Sequence, residues 1–339
     1  MPEKTLTDWQ SAAAKIQIDG RAFLNGQRSD SLSGETRPTM NPANGKKVAE
    51  VAYCDANDAD QAVKIARATF DSGVWAGMAP ADRKMVLVRW AELIENHADE
   101  IALLETLDVG KPIADTLNID VSATVRTIRW SGEAIDKVYD EISPTPSDCL
   151  ALVTRVPLGV VTAIVPWNFP LSTTAWKLAP SLATGNSVLL KPATNTPLSA
   201  LRIAELATEA GLPNGVLQVL PGSGNSLGKH LALHMDVDGL TFTGSTLVGK
   251  RLMEYSGKSN LKRTFLELGG KSPNIVFADC NLEKATSSAA LAVFYNGGQT
   301  CTAGTRLIVE ESILDEFLLK LVEHAKAWMP DNPLNPATT

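Results

Sequence analysis

Along the chain, short apolar runs alternate with stretches whose apolar residues recur at helical spacing. From residue 160 onward VVTAIV, SVLLK, GVLQVL, GLTFT and TFLEL are short runs of β-forming composition, and they predict strands. Most are separated by helix-like pieces such as LSALRIAELATEAG, a rhythm that predicts βαβ units and a parallel sheet. Upstream, residues 84 to 104 (KMVLVRWAELIENHADEIALL) place Val86, Trp90, Leu93, Ile94, Ile101 and Leu104 on roughly one face. One long amphipathic helix is expected there, after Pro80. The segment EISPTPSDCLALVTRVPLG, with its prolines and alternating LALVTRV, predicts a linker running into an exposed strand or hairpin.

A chain of 339 residues with 44% hydrophobic content can bury a large core, as one extended domain or two intimate ones. Its 38 acidic against 31 basic residues give a formal charge of -7, and no basic cluster is present to neutralise a phosphate backbone. Nucleic acid is therefore not an expected partner. The N-terminal MPEKTLTDWQSAAAKIQIDG lacks the unbroken apolar core of a signal peptide, and no stretch is long and apolar enough to span a bilayer. Cys54, Cys149, Cys280 and Cys301 are scattered without CxxC spacing. They suit a reducing cytoplasm better than a disulfide framework or a zinc cage.

Several motif matches fail on spacing. PGSGNSLGKH follows a strand, but a dinucleotide GxGxxG needs glycine where Leu227 stands, and a phosphate-binding GxxxxGK[ST] loop needs glycine at Ser223 and Ser or Thr at His230. His230 and His234 are four apart, yet the zinc-protease pattern needs glutamate at Leu231, so a solvated helix face is expected and no metal site. What remains is a set of polar residues at the ends of expected strands, where ligands of open α/β sheets bind. They are Asn168, Lys191, Ser245, Glu267 and Cys301. Taken singly, each has a plain reading: an inert cysteine, a turn asparagine, a solvated lysine at a strand end. Glu267 is harder to set aside, because TFLELGG surrounds it with apolar neighbours and predicts a partly buried carboxylate suited to base work.

Together, PWNFP, the Lys-Pro after a strand, FTGSTLVG, ELGGK and GQTC resemble the NAD(P)-dependent aldehyde dehydrogenases, which carry these motifs in this order. The resemblance runs from FLNGQ at residues 23 to 27 to the closing NPLNPATT. LLETLDVGKPI, EAIDKVYDE and WNFPL…WKLAP…LATGNSV look most like bacterial enzymes that oxidise γ-glutamyl-aminobutyraldehyde or guanidinobutyraldehyde.

The resemblance implies an α/β, aldehyde dehydrogenase-like fold. A Rossmann-type cofactor domain would cover residues 1–266, with an oligomerisation strand or hairpin near 140–156, and an incomplete α/β catalytic domain would cover 267–339. It implies Cys301 as the nucleophile, Glu267 as the base that hydrolyses the thioester, and Asn168 with the Cys301 amide as oxyanion donors. Lys177 would lie near the proton path, and Gly297 and Gly298 would allow close backbone approach. For NAD or NADP, the resemblance points to Phe242, Thr243, Gly244, Ser245 and Gly249 at a helix N-terminus, with Gly224 and Gly228 nearby. Lys191 would reach the adenosine ribose, and Ile164, Pro166, Trp167, Asn168, Leu268 and Gly269 would line the nicotinamide channel. Thr194 stands where members strict for NAD carry glutamate, which removes a charge that repels a 2′-phosphate. Family members form homo-oligomers and continue well beyond residue 339, so the chain is expected to be C-terminally truncated, with the alternatives of an inactive fragment or a cofactor-independent cysteine esterase.

Overall fold

The computed structural model describes residues 4–339. Its centre is a seven-stranded sheet in the order Arg263–Leu268, Gly239–Gly244, Val160–Ile164, Ser187–Lys191, Leu217–Val219, Ala22–Leu24 and Gln27–Ser29. The first five are parallel, and they are the five strands expected from the apolar runs. The last two form an antiparallel hairpin on the far edge. Val160–Ile164 and Ser187–Lys191 are buried along their whole length, which favours β-branched and aliphatic side chains on both faces.

Alternation along each strand sends successive side chains to opposite layers. Val188 and Leu190 join one core with Leu178, Leu182 and Leu206 from the helices Pro170–Ala183 and Leu198–Glu209. Leu189, between them, joins the opposite core with Ala59, Ala62 and Val63 of the helix Ala56–Asp71. The helix expected over 84–104 is two helices, Pro80–Asn96 and Ala98–Val109. His97 breaks it with φ −105° and ψ 21°, and its Nδ1 lies 2.8 Å from the Leu93 carbonyl oxygen. Pro80 sits in the first turn, where its missing N–H costs nothing.

Glu141–Ser143 pairs with Ala151–Val153 as the expected exposed hairpin, and Ile142 and Leu152 stand in solvent. Residues beyond the main sheet form a smaller layer in which Pro273–Val276 pairs in parallel with Arg306–Val309. Leu282–Phe294 and Leu314–Ala325 pack there, around the buried Phe317. No helix among the described residues is long and apolar enough to cross a membrane.

Candidate active site

The carboxyl ends of the parallel strands converge on one rim. Val160–Ile164 leads into Pro166, Trp167 and Asn168, and Arg263–Leu268 carries Glu267 just before Gly269. Lys191 closes Ser187–Lys191, and Gly244 closes Gly239–Gly244. Register fixes neighbours across the rim: Ile164 pairs with Lys191 and with Phe242, and Thr243 pairs with Glu267.

Cys301 reaches the same rim on the loop after the helix Leu282–Phe294. Its approach is shaped by Asn296, Gly297 and Gly298, three consecutive residues at φ 53°, 61° and 76°. Gly297 and Gly298 therefore serve a left-handed backbone, and asparagine is the residue that best tolerates that region after glycine. Gly298 also allows the close approach the sequence suggested, since a Cβ there would stand 3.0 Å from the Val293 carbonyl oxygen. Asn168 Nδ2 donates to the Gln299 carbonyl oxygen at 2.7 Å, and Asn296 Nδ2 donates to the Asn168 carbonyl oxygen at 3.1 Å. Two loops far apart in sequence are thereby locked.

The Cys301 thiol is half-buried, and burial, followed by the facing Glu267 carboxylate, pushes its pKa up. Backbone N–H groups of Cys301 and Thr302 oppose that shift. Glu267 is exposed, contrary to the partial burial expected from its neighbours. Leu266 and Leu268 point to the half-buried face of the strand, and Glu267 shares the outer face with Phe265, which is 52% exposed. Lys177, buried, donates from Nζ to Thr241 Oγ1 at 3.1 Å. Burial brings its pKa down to about 8, and Glu267 partly offsets this.

On the other side of the rim, Ser245 caps the helix Thr246–Gly257, accepting from Val248 N at 3.4 Å. The cap leaves the helix N-terminus open at the surface. A Cβ on Gly249 would stand 2.7 Å from Leu268 Cδ2, so a larger residue there would have to displace the Leu268 side chain on the strand that bears Glu267. Lys191 is buried, not the solvated strand end of its plain reading, and Nζ donates to the Pro192 carbonyl oxygen at 2.6 Å. Burial brings its pKa down to about 8. Gly228 lies against the Lys191 stem, where a Cβ would stand 3.4 Å from Lys191 Cδ, an ordinary van der Waals contact. Gly224 opens the same short helical segment, Gly224–Gly228, and Thr194 Oγ1 donates to the Gly222 carbonyl oxygen at 3.0 Å.

Residues 29–339 match the Aldehyde dehydrogenase family. The chain belongs to that family. It is 52% identical, over 98% of its length and 68% of the relative's, to the NADP/NAD-dependent aldehyde dehydrogenase PuuC of Escherichia coli. It superposes with a TM-score of 0.98, at 54% identity, on a γ-glutamyl-γ-aminobutyraldehyde dehydrogenase from Burkholderia cenocepacia, covering 99% of this chain and 68% of that one. The same TM-score and coverages, at 56% identity, relate it to an indole-3-acetaldehyde dehydrogenase of P. syringae in complex with NAD+ and IAA. The chain thus spans about two thirds of these relatives.

For an aldehyde dehydrogenase, the rim offers what a dinucleotide needs. Lys191 is a buried cation with two donor hydrogens to spare, Thr243 Oγ1 is buried without a hydrogen-bond partner, and the helix at Thr246 presents its N–H groups. Sequence reasoning missed Tyr295, whose ring centroid lies 6.2 Å from that of Phe169 beside Asn168. It also missed Lys111, Glu105 and Asp120, buried titratable side chains beneath the PWNFP turn. The one signal for Glu105 was a carboxylate inside the apolar run IALLETLDV.

His230 and His234 do meet a third polar group. Asp60 Oδ1 lies 2.5 Å from His230 Nε2 and 3.4 Å from His234 Nε2. His234 Nδ1 accepts from Asp236 N at 3.1 Å, which in the neutral ring puts its proton on Nε2, facing Asp60. One polar atom of each of the three side chains lies within 4.8 Å of those of the other two.

Proposed function

We propose that this chain carries the nucleophile, base and oxyanion donor of an enzyme that oxidises an aldehyde to its carboxylic acid with NAD or NADP. The observation that carries the reading is that the Cys301 thiol faces the Glu267 carboxylate, with the Asn168 carboxamide bonded to Gln299, two residues before Cys301. Cys301, as thiolate, adds to the carbonyl carbon, and the oxyanion so formed is held by Asn168 Nδ2 and the Cys301 amide. A dinucleotide bound along Lys191, Thr194, Gly224, Gly228 and the Gly244–Gly249 turn, with Trp167 and Gly269 at its nicotinamide end, supplies the hydride acceptor. Glu267 then takes a proton from the water that hydrolyses the Cys301 thioester, and Lys177 keeps a positive charge near that proton path.

The substrate class is an ω-amino, γ-glutamylamino or guanidino aldehyde, as in polyamine catabolism, supported by the name of the B. cenocepacia relative. The cofactor domain spans 1–266 and the catalytic part 267–339. The protein assembles as a homo-oligomer through the hairpin near 140–156, which leaves Ile142 and Leu150 each 74% exposed, and it works in the cytoplasm. The test is reduction of NAD and NADP by the purified protein against a panel of such aldehydes, with Cys301→Ala as control. Reduction at wild-type rate by Cys301→Ala would sink the reading.

A further inference from the structure

Beneath the PWNFP turn lies a group of titratable side chains that the proposed chemistry does not use. Lys111 is 2% exposed and Asp120 is fully buried, and Lys111 Nζ donates to Asp120 Oδ2 at 2.7 Å. Ser172 Oγ donates to the other oxygen of Asp120 at 3.1 Å. Glu105, also fully buried, accepts from Leu171 N at 3.1 Å and from Ser199 Oγ at 2.5 Å. Glu105 thus holds the first turn of the helix Pro170–Ala183 through Leu171 N, and Asp120 holds it through the Ser172 hydroxyl; burial, followed for Glu105 by the neighbouring Asp120, pushes the pKa of both carboxyl groups up.

The bond to Leu171 N accounts for Glu105 but not for the Lys111–Asp120 pair. A buried ion pair is seldom more stabilising than apolar residues of the same volume, so its retention calls for a geometric reason. That reason lies 3.9 Å away, where Lys111 Nζ sits over the centroid of the Phe169 ring. Phe169 follows Asn168 directly and also packs on Tyr295, with the ring planes inclined at 33°. Asn296, next to Tyr295, donates to the Asn168 carbonyl oxygen at 3.1 Å. One aromatic ring therefore joins the buried ion pair to both loops of the candidate site.

We propose that Lys111, fixed by Asp120 and stacked on Phe169, is a positioning residue that holds the Asn168 turn, and with it the carboxamide bonded to Gln299, in place beside the Cys301 loop. The proposal rests on the reading of Asn168 and Cys301 given above. An oxyanion donor works only when aimed at the place where charge develops, and small displacements are costly. A cation pinned by a buried carboxylate holds the ring by attraction, whereas an apolar contact would let it slide.

The test separates two reactions of the same sulfur. Acylation of Cys301 by p-nitrophenyl acetate builds an oxyanion and needs no cofactor, whereas alkylation by iodoacetamide needs the thiolate alone. Removing Lys111 by itself would strand the Asp120 charge, so the variants are Phe169→Leu, which keeps the ion pair, and Lys111→Met with Asp120→Asn, which removes both charges. In both, the p-nitrophenolate burst rate should fall by about tenfold or more, with alkylation within about twofold of wild type at matched pH. Equal loss of both rates, or loss of neither, overturns the proposal. Two controls report on the reading beneath it. A burst retained by Cys301→Ala means that the nucleophile is misassigned, and one retained by Asn168→Ala leaves Lys111 with no donor to hold in place.

Discussion

The side-chain amide of Asn168 donates to the carbonyl oxygen of Gln299 at 2.7 Å, joining two loops 131 residues apart in sequence. The donor expected for the oxyanion is therefore already satisfied at rest, and charge on a bound carbonyl oxygen must outcompete a neutral carbonyl. It does so because hydrogen bonds to ionised acceptors are roughly twice as strong as neutral ones.

Asn168→Ala should accordingly lower kcat/KM for aldehyde oxidation by roughly two to three powers of ten, the usual loss when one oxyanion donor is removed. Alkylation of Cys301 should be nearly unchanged, because it develops no oxyanion. Steady-state kinetics beside an iodoacetamide time course decide the point. Parallel losses in both assays would mean that Asn168 holds the loop and not the oxyanion.

Glu267→Gln should have two effects at once. Burial and then the Glu267 carboxylate raise the Cys301 thiol pKa, so removing the negative charge should move the pH profile of thiol alkylation to lower pH. The same variant should accumulate acyl-enzyme, since no carboxylate remains to deprotonate the hydrolytic water. Mass spectrometry of the quenched protein measures the second effect. An unshifted alkylation profile would show that the carboxylate does not act on the sulfur.

Lys191 yields a pH dependence for cofactor binding. Burial brings its pKa down to about 8, so the free protein loses this positive charge as pH rises through that value. Affinity for NADP, whose 2′-phosphate carries extra negative charge, should weaken between pH 7 and pH 9 more than affinity for NAD. Fluorescence titration of both dinucleotides, repeated with Lys191→Met, tests this. The variant should bind the two with parallel pH dependence, and a difference that survives the substitution would assign it to another group.

The legibility of this chain followed the range of the interactions. The five parallel strands were visible because short apolar runs such as VVTAIV and SVLLK are local, and strand ends then marked where polar residues would meet. The break at His97 was hidden because apolar spacing continues on both sides of it, and the break depends on one ring reaching the Leu93 carbonyl. Glu267 was misjudged because apolar sequence neighbours in a strand face away from the residue between them. Lys111 and Phe169 lie 58 positions apart, counting from 111 to 169, and no periodicity relates them; only the packing of the helix Pro170–Ala183 brings them together.

Thr194 carries the prediction on cofactor choice. Its side chain is exposed and donates to the Gly222 carbonyl oxygen at 3.0 Å, close to the Gly224–Gly228 segment that also borders Lys191. Glutamate at this position would place a carboxylate where a 2′-phosphate is expected, and like charges a few Å apart repel even in a solvated setting. It would also accept from ribose hydroxyls, which favours NAD. Thr194→Glu should shift the ratio of kcat/KM toward NAD by at least about tenfold, equivalent to ~1.4 kcal/mol. The hydroxyl need not touch the phosphate for this to hold, since the argument rests on the charge that threonine lacks. A wild type that already rejects NADP, or a variant with an unchanged ratio, would place the discrimination on residues other than Thr194.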